Sequence, residues 1–364
     1  MNAAPDSTAT ETADAFAERL FGSVLGWIDL MSVYMGDKLG WYCSLADDGP
    51  ATADELAART RTSPRYAREW LEQQAVTGIL SVEDAEGDAA TRRFSLPPAH
   101  AEVLLDEVSL AYFGPLPRML ASLGMQLPAF LEAYRTGGGV SWKQFGAEMR
   151  EGQAAANRPW FAELSRVFAD IPAIETALQK PGARVADVGM GGGWSSIALA
   201  QAYPGLTVEG FDVDEPSIEL ARRNAEEAGV ADRVTFRNAD GGGLEEYGPF
   251  DAAFAFECIH DMPQPVPVLE AMRRGVREDG PVIVMDEAVA EDYTAPGDEI
   301  ERLMYGYSLF CCLPDGMSHQ PSVGTGTVMR PDTLRRYAQE AGFSDIEILP
   351  IEDFAFFRFY SLVR

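Results

Sequence analysis

The sequence has few basic residues: 29 lysines and arginines face 57 aspartates and glutamates, which gives a formal net charge of −28 over 364 residues. A chain with this charge is repelled by nucleic-acid phosphates and by anionic lipid. The sequence also contains no apolar run long enough to cross a bilayer. We therefore predict that neither a nucleic acid nor a membrane is a partner of this protein.

Cysteine is scarce as well. The four cysteines form no C-x-x-C pair and no disulfide framework; they are Cys43, Cys258, Cys311 and Cys312. This usage is typical of a reducing compartment. The opening residues MNAAPDSTATETADAF have neither the basic start nor the apolar core of a signal peptide. We expect a cytoplasmic protein.

Residues 1–108 have the pattern of a winged-helix domain. Apolar residues at helical spacing predict a long amphipathic helix over about 15–39. Thr52 and Glu55 predict a capping box at the start of a second helix, and Ser63 followed by Pro64 predicts the start of a third. Two short strand-like segments then flank an acidic turn. Between residues 52 and 82 four acids oppose four arginines, so the basic face of a DNA reader is missing and a dimerisation module is favoured.

The rest of the chain predicts an α/β fold. Residues 109–180 form a helical connecting region with breaks at prolines, namely Pro115, Pro117, Pro128 and Pro159. Over residues 181–364 strand and helix patterns alternate, and the last two strands read as an antiparallel hairpin. This order predicts a doubly wound, mostly parallel, seven-stranded Rossmann-like sheet that binds its ligand at the carboxyl ends of the strands.

A glycine cluster follows the first of these strands, in the segment VADVGMGGGWSS. A dinucleotide-binding loop needs glycine at its sixth position, where this segment has Trp194, and no Lys-Ser or Lys-Thr pair follows to form a phosphate-binding loop. The residues of this segment that remain as candidates for ligand contacts are Asp187, Gly189, Gly191 and Gly193. Glycines at these positions let the backbone approach an uncharged or cationic nucleoside closely.

The other strands of the sheet also end in polar residues: Asp212, Asp240, His260, and Asp286 with Glu287. Asp212 lies 19 residues after Gly193, the separation at which an acid accepts hydrogen bonds from ribose hydroxyls. Asp240 is placed to accept a hydrogen bond from an adenine amine. A set of such residues at one edge of one sheet predicts a ligand site.

The motifs DVGMGGGW, GFDVD and RNAD, in this order, resemble the cofactor-binding motifs of class I S-adenosylmethionine-dependent methyltransferases. CIHDM resembles the His-Asp motif of small-molecule O-methyltransferases that carry an N-terminal winged-helix dimerisation domain. The resemblance implies S-adenosyl-L-methionine as cofactor, a small-molecule acceptor and a homodimer. It assigns cofactor contacts to eight residues: Asp187, Gly189, Gly191, Gly193, Asp212, Asp240, Gly241 and Phe256.

The same resemblance assigns the catalytic residues. His260 matches the general base of those O-methyltransferases, and Asp286 matches the acid that orients it, with Glu287 as a second acid beside it. The chemistry agrees, because a sulfonium methyl is already electrophilic and a hydroxyl acceptor must still lose its proton. An unperturbed histidine titrates near pH ~6.5, which suits this task. The sequence departs from the family where Met262 and Pro263 replace the tryptophan after His-Asp.

The segment IERLMYGYSLFCCLPDGM resembles the helix that walls the acceptor pocket in this family. The predicted lining residues are Met304, Tyr305, Phe310 and Cys312. Three alternatives stay open for the function. His260, Asp261 and His319 offer the two imidazoles and one carboxylate of a non-haem iron site for C-methylation, although we expect no metal. The others are a non-methyl reaction of the same cofactor and a transcriptional regulator that senses it.

Overall fold

A computed structural model describes residues 11–364. Residues 1–10, which contain most of the segment used to predict that a signal peptide is absent, lie outside the described residues. The chain divides into two compact units, residues 1–117 and 118–364. Within the described residues, no helix is both long enough and apolar enough to cross a membrane.

The first unit is the predicted winged helix. Its elements are α1 (Ala13–Lys38), α2 (Trp41–Asp47), α3 (Ala53–Thr60), α4 (Pro64–Val76), β1 (Ser81–Glu83), β2 (Arg93–Ser95) and α5 (Pro98–Leu105). The capping box at α3 is confirmed: the Thr52 amide donates to Glu55 Oε2 at 2.9 Å, and the Glu55 amide donates to Thr52 Oγ1 at 3.3 Å. β1 and β2 pair antiparallel as the wing.

The helices that precede the sheet are α6 (Pro115–Met125), α7 (Leu127–Thr136), α8 (Trp142–Phe145), α9 (Ala147–Ala162), α10 (Leu164–Phe168) and α11 (Pro172–Gln179). Pro128 lies in the first turn of α7, as a helix start predicts. The predicted break at Pro159 is wrong, because this residue lies inside α9. Only three residues follow Pro159 in α9, so its missing N–H disturbs the helix only near its end.

The sheet has seven strands in the order β5-β4-β3-β6-β7-β9-β8. These strands are β3 (Arg184–Val188), β4 (Thr207–Asp212), β5 (Val234–Asn238), β6 (Ala252–Phe256), β7 (Val282–Glu287), β8 (Asp345–Ile348) and β9 (Phe357–Val363). All neighbours from β5 to β7 pair parallel, and β9 is antiparallel to both β7 and β8. The predicted mostly parallel sheet with a closing hairpin is confirmed.

Helices cover both faces of the sheet. The remaining elements are α12 (Trp194–Ala202), α13 (Glu215–Glu227), a 3₁₀ helix (Gly241–Glu246), α14 (Pro265–Gly275), α15 (Glu299–Tyr307), a π-helix (Ser308–Cys312), α16 (Leu313–Met317) and α17 (Pro331–Glu340). The helices α10, α11, α12 and α13 share one apolar core with one face of the sheet. The helices α14 and α17 share a second apolar core with the other face. The ends of β3, β4, β6 and β7 therefore meet at one uncovered edge.

The helices that follow residue 118 belong to the same unit as the sheet. The sequence predicted a separate connecting region over residues 109–180. Leu164, Phe168 and Ile174 of this region are fully buried in the core against the sheet. Their burial explains why these helices pack with the sheet instead of standing apart as a linker.

Candidate active site

The glycine loop after β3 has the backbone conformation that its sequence predicts. Gly189, Gly191 and Gly193 all have positive φ angles, of 69°, 51° and 78°, which side-chain-bearing residues rarely adopt. A Cβ atom on Gly193 would lie 2.8 Å from Ala221 and 2.8 Å from Phe236, whereas one on Gly191 would meet no atom within 4 Å. The loop is therefore packed tightly at Gly193 and open at Gly191.

Asp187 lies fully buried beneath this loop. Its Oδ2 accepts hydrogen bonds from the hydroxyls of Ser195 and Ser196, both at 2.6 Å. Its Oδ1 is also buried but accepts no hydrogen bond. Burial raises the pKa of Asp187 to about 6, against the opposing effect of the two serine hydroxyls. An unsatisfied carboxylate oxygen beside an open glycine loop fits a ligand that brings N–H donors and positive charge.

Asp212 ends β4 and ties the loop in place. Its Oδ2 accepts from the Gly191 amide and its Oδ1 from the Asp214 amide, both at 2.9 Å. Asp214 in turn caps α13 and forms an ion pair with Arg150 at 2.6 Å. Each carboxylate oxygen can accept a second hydrogen bond, so the predicted contact of Asp212 with ribose remains a prediction that this geometry allows.

The other predicted cofactor residues have structural roles of their own. Asp240 is exposed, and its Oδ1 accepts from the Gly242 amide at 2.8 Å. Gly241 is buried where a Cβ atom would lie 2.7 Å from Val188. Phe256 packs into the core, stacked on Phe254 with ring centroids 5.6 Å apart. The roles predicted for these residues at the adenosine remain predictions.

His260 lies in the loop after β6 and is 2% exposed. Its Nδ1 lies 3.0 Å from each carboxylate oxygen of Asp286 and 3.2 Å from Glu287 Oε2. Its Nε2 lies 3.2 Å from Asp261 Oδ1. The predicted histidine and its two predicted acids are therefore in direct contact, because β6 and β7 are neighbours in the sheet.

Buried charges set the protonation of this cluster. Burial lowers the pKa of His260, but the negative charges around it raise that pKa by more, and the net shift is well above its ordinary value. The charges that raise it come chiefly from the carboxyl groups of Asp261, Asp286 and Glu287. Burial likewise raises the pKa of Glu287 well above normal, against the effect of the nearby imidazole. The Nδ1 proton is directed to Asp286, so Nε2 is the nitrogen left to accept a proton.

Glu257 is a site residue that the sequence reasoning missed. It follows β6 directly, has a φ of 52° and holds a carboxyl whose pKa burial raises to about 8. Gln153 Nε2 donates to its Oε2 at 3.3 Å, and Asn157 also hydrogen-bonds to it. The strand-end rule that located Asp187 and Asp212 applies equally to Glu257 and would have found it.

The predicted acceptor-lining residues are only partly brought together. Cys312 lies with His260 and Asp261, their donor atoms all within 4.8 Å of one another. Tyr305 instead points its hydroxyl to Arg330 at 3.5 Å, and Phe310 packs edge-on against Phe130 with centroids 5.7 Å apart. Met304 is buried in the protein. The lining roles of Met304, Tyr305 and Phe310 stay predictions.

Two groups of side chains among the described residues have metal-ligand spacing. One is His260, Asp261 and Cys312, and the other is His260, Asp286 and Glu287. His319, the second imidazole of the iron alternative, belongs to neither of these groups and is exposed. The ligand set proposed for iron from the sequence is therefore not assembled in this structure.

Family models match two parts of this architecture. Residues 185–280, from β3 to the turn before β7, match the methyltransferase domain family, and residues 27–105 match the Rv2258c-like winged helix-turn-helix domain. The chain carries a class I methyltransferase domain. This confirms the predicted family, with S-adenosyl-L-methionine as its cofactor, and the winged-helix domain in front of it.

Curated relatives match this chain over part of its length. The ubiquinone biosynthesis O-methyltransferase of Xanthomonas campestris pv. campestris (strain B100) is 33% identical over 132 residues, 34% of this chain and 54% of the relative. That of Paracidovorax citrulli is 38% identical over 101 residues, 27% of this chain and 41% of the relative. The chain thus spans about half the length of the curated relatives it matches.

Solved structures match the methyltransferase over nearly its whole length. The mitomycin 7-O-methyltransferase MmcR has a TM-score of 0.70 at 20% identity and covers 97% of this chain and 99% of its own. PigF, solved with SAH, has a TM-score of 0.70 at 20% identity, and the match covers 95% of this chain and 99% of PigF. Human N-acetylserotonin methyltransferase, in complex with SAM, has a TM-score of 0.67 at 19% identity. The match covers 98% of this chain and 99% of that structure. At these identities the likeness establishes the fold.

Proposed function

We propose that this methyltransferase transfers the methyl group of S-adenosyl-L-methionine to a hydroxyl of a small molecule, with His260 as the general base. The observation that carries the proposal is the buried imidazole at the end of β6, with Nδ1 on Asp286 and Nε2 left to accept a proton. The curated relatives with matching segments are O-methyltransferases by name, and this supports oxygen as the acceptor atom.

The residues that would hold the cofactor are those of the loop after β3. Asp187 brings an unsatisfied buried oxygen, Gly191 brings open space beside the backbone, and Asp212 and Asp240 bring carboxylates at the ends of β4 and β5. When bound, S-adenosylmethionine supplies an electrophilic methyl group on a sulfonium. The protein residues then need only align the acceptor and remove its proton.

With the cofactor bound, the acceptor oxygen would bond to the methyl group while the sulfur–methyl bond breaks and leaves its electron pair on sulfur. The hydroxyl proton would pass to Nε2 of His260. Nδ1–H donates to Asp286 throughout, which fixes the ring and stabilises the imidazolium that results. Glu287 lies on the same side of the ring and adds negative charge that also favours the imidazolium. Since the cluster is buried, these charges act with little screening by water.

A cofactor-sensing regulator that binds DNA is the less favoured alternative. Four arginines of the winged helix form ion pairs with glutamates: Arg65 with Glu69, Arg68 and Arg92 with Glu72, and Arg93 with Glu55. These ion pairs neutralise the face that phosphate contacts would need. A non-methyl reaction of the same cofactor would use the same loop, and product analysis separates it from methyl transfer.

The proposal includes a cytoplasmic homodimer. The helix α1 exposes large apolar side chains along its length: Phe16, Leu20, Phe21, Val24, Leu25, Trp27, Ile28 and Met35. An apolar face of this extent on a soluble protein marks an interaction surface. A second copy of the chain is the partner that we propose for it, as in the dimerisation domains of the family that the sequence resembles.

The test is mass spectrometry of candidate acceptors incubated with cofactor that carries an isotopically labelled methyl group. We expect one labelled methyl on oxygen for the wild type and a loss of roughly 10²–10⁴-fold in rate for His260→Ala. His319→Ala is the matched control and keeps full activity. Unchanged turnover in His260→Ala would remove the base assignment, and loss of activity in His319→Ala would favour the metal alternative.

A further inference from the structure

The backbone at Glu257 is held in a conformation that favours glycine. Its φ of 52° lies in the left-handed region, which costs a residue with a side chain free energy that the surrounding structure must supply. The Glu257 amide donates to the Met285 carbonyl at 2.8 Å, which ties this turn to β7. This turn places the Glu257 side chain directly after β6, beside the end of β7.

Two buried carboxyl oxygens near this turn have no hydrogen-bond donor. Glu257 Oε1 is buried and accepts no hydrogen bond, although its Oε2 is held by amides from α9. Glu287 is 6% exposed, and its Oε2 also accepts none. The imidazole nitrogen 3.2 Å from that oxygen has a single proton, which Asp286 receives. One oxygen of Glu257 and one of Glu287 therefore remain without a hydrogen-bond donor.

Four carboxyl groups and one imidazole form this cluster: Glu257, Asp261, Asp286 and Glu287 with His260. The carboxyl groups act electrostatically on the imidazole and on one another. The groups that hold the Glu257 carboxyl are neutral amides, Gln153 and Asn157. Burial raises the pKa of Glu257 and of Glu287, and a ligand that brings both donors and positive charge would stabilise their ionised forms. An alkylammonium does so, because it has three N–H donors and no acceptor.

We infer that the acceptor of this methyltransferase is a hydroxyl compound that also carries a protonated amine, and that Glu257 and Glu287 bind the ammonium group; this inference rests on the proposed function. The arrangement separates two roles at one site. His260 serves the hydroxyl, and the two glutamates serve the nitrogen. An ammonium has no lone pair, so holding the amine in this form directs methylation to oxygen.

A metal ion is the competing occupant, and the geometry favours the ammonium. The metal-spaced group that includes Glu287 also uses Nδ1 of His260. That nitrogen already donates its proton to Asp286, and a metal ligand must instead offer a lone pair. Glu257 belongs to neither of the metal-spaced groups among the described residues.

The test compares two phenols of the same shape and different charge. Tyramine and 4-propylphenol are titrated by calorimetry into the full chain, treated with EDTA and saturated with S-adenosylhomocysteine. We expect tyramine to bind at least roughly tenfold more tightly, the effect of one or two hydrogen bonds from a charged donor. Glu257→Gln and Glu287→Gln should each reduce this preference several-fold and leave 4-propylphenol unchanged. Glu291→Gln, at an exposed glutamate after β7, is the control and should keep the preference for tyramine.

Equal affinities for the two phenols, no binding of tyramine, or a preference that survives both glutamine variants would overturn the inference. Zinc binding to the EDTA-treated protein that Glu287→Gln abolishes would also overturn it and assign the carboxylates to a metal. Binding of S-adenosylhomocysteine in the same experiment is read separately. If that molecule binds and tyramine is not preferred, only the amine inference fails; if it does not bind, the proposed function fails as well.

Discussion

The environment of His260 makes its basicity depend on the acids around it. Burial favours the neutral imidazole, and the neighbouring negative charges favour the imidazolium by more. In the protein without ligand, the raised pKa favours the protonated ring. A base of this kind must first release that proton. The rate of methyl transfer should therefore change with pH mainly above neutrality, where His260 loses the proton.

The pH profile of methyl transfer follows from the upward direction of the pKa shift of His260. Because the pKa of His260 is raised, the neutral form and the rate should increase as pH rises above 7. Asp286→Asn removes one of the charges that raise this pKa, so the midpoint of the profile should move to lower pH. The maximal rate should also fall, because a hydrogen bond that orients the ring is weakened. The measurement is kcat/KM against pH for both proteins.

Asp261, Glu287 and Cys312 also face His260, so the profile of Asp286→Asn should move without reaching that of an isolated histidine. Glu291→Gln, on the surface, is expected to leave the midpoint unchanged. A flat profile, or an identical midpoint in Asp286→Asn and the wild type, would contradict the role of His260 as base.

At the scale of elements, two glycines of the loop between β3 and α12 have different roles: one is required by the packing of the fold, and the other leaves space for a ligand. Gly193 has a φ of 78° and no room for a side chain, whereas Gly191 faces open space. The two glycines occur two residues apart in the same motif. The sequence indicated a binding task for both, and only the packing distinguishes the one that the fold itself requires.

Gly193→Ala should destabilise the protein by roughly 3 kcal/mol, because the new Cβ is strained at positive φ and meets Ala221 and Phe236. Gly205→Ala is the matched control, since no atom lies within 4 Å of its Cβ position, and should change stability by less than about 0.5 kcal/mol. Urea unfolding of the domain measures both. Equal stability of the two variants would show that the packing at Gly193 is not as described.

The sequence predicted most of the sheet and its edge. Strand patterns located all seven strands, since their buried apolar runs are bounded by glycine and acids. The rule that parallel strands end together placed His260 and Asp286 at one edge of the sheet, and the family resemblance implied that Asp286 orients His260. The sequence could not reveal that Asp212 hydrogen-bonds to the glycine loop or that Phe256 turns into the core. Those facts depend on which way a side chain points after the last strand residue.

At the scale of the whole molecule, the charge and the exposed face of α1 determine what the protein associates with. The net charge of −28 keeps it away from polyanions. The apolar side chains of α1 remain to be covered. We therefore propose that the first unit is a protein-interaction domain rather than a DNA-binding domain.

We predict a dimer of twice 39.6 kDa by light scattering after size-exclusion chromatography. Leu20 and Val24, 49% and 52% exposed, lie one helical turn apart on α1. Replacing both with glutamate should give a monomer, because four charges would have to be buried in a symmetric interface. Glu18→Lys, on the same helix at an exposed polar position, should remain dimeric. A wild type that elutes as a monomer would refute this assembly.

The central claim is that the edge of the sheet at β3 and β4 binds the adenosine cofactor. Calorimetric titration of the full chain with S-adenosylhomocysteine tests it most directly, with Gly191→Ala as the comparison. We predict one site per chain in the wild type, and binding at least roughly tenfold weaker in Gly191→Ala, whose new methyl group would point into the open space of the loop. No heat of binding in the wild type, or equal affinity in both proteins, would contradict the account.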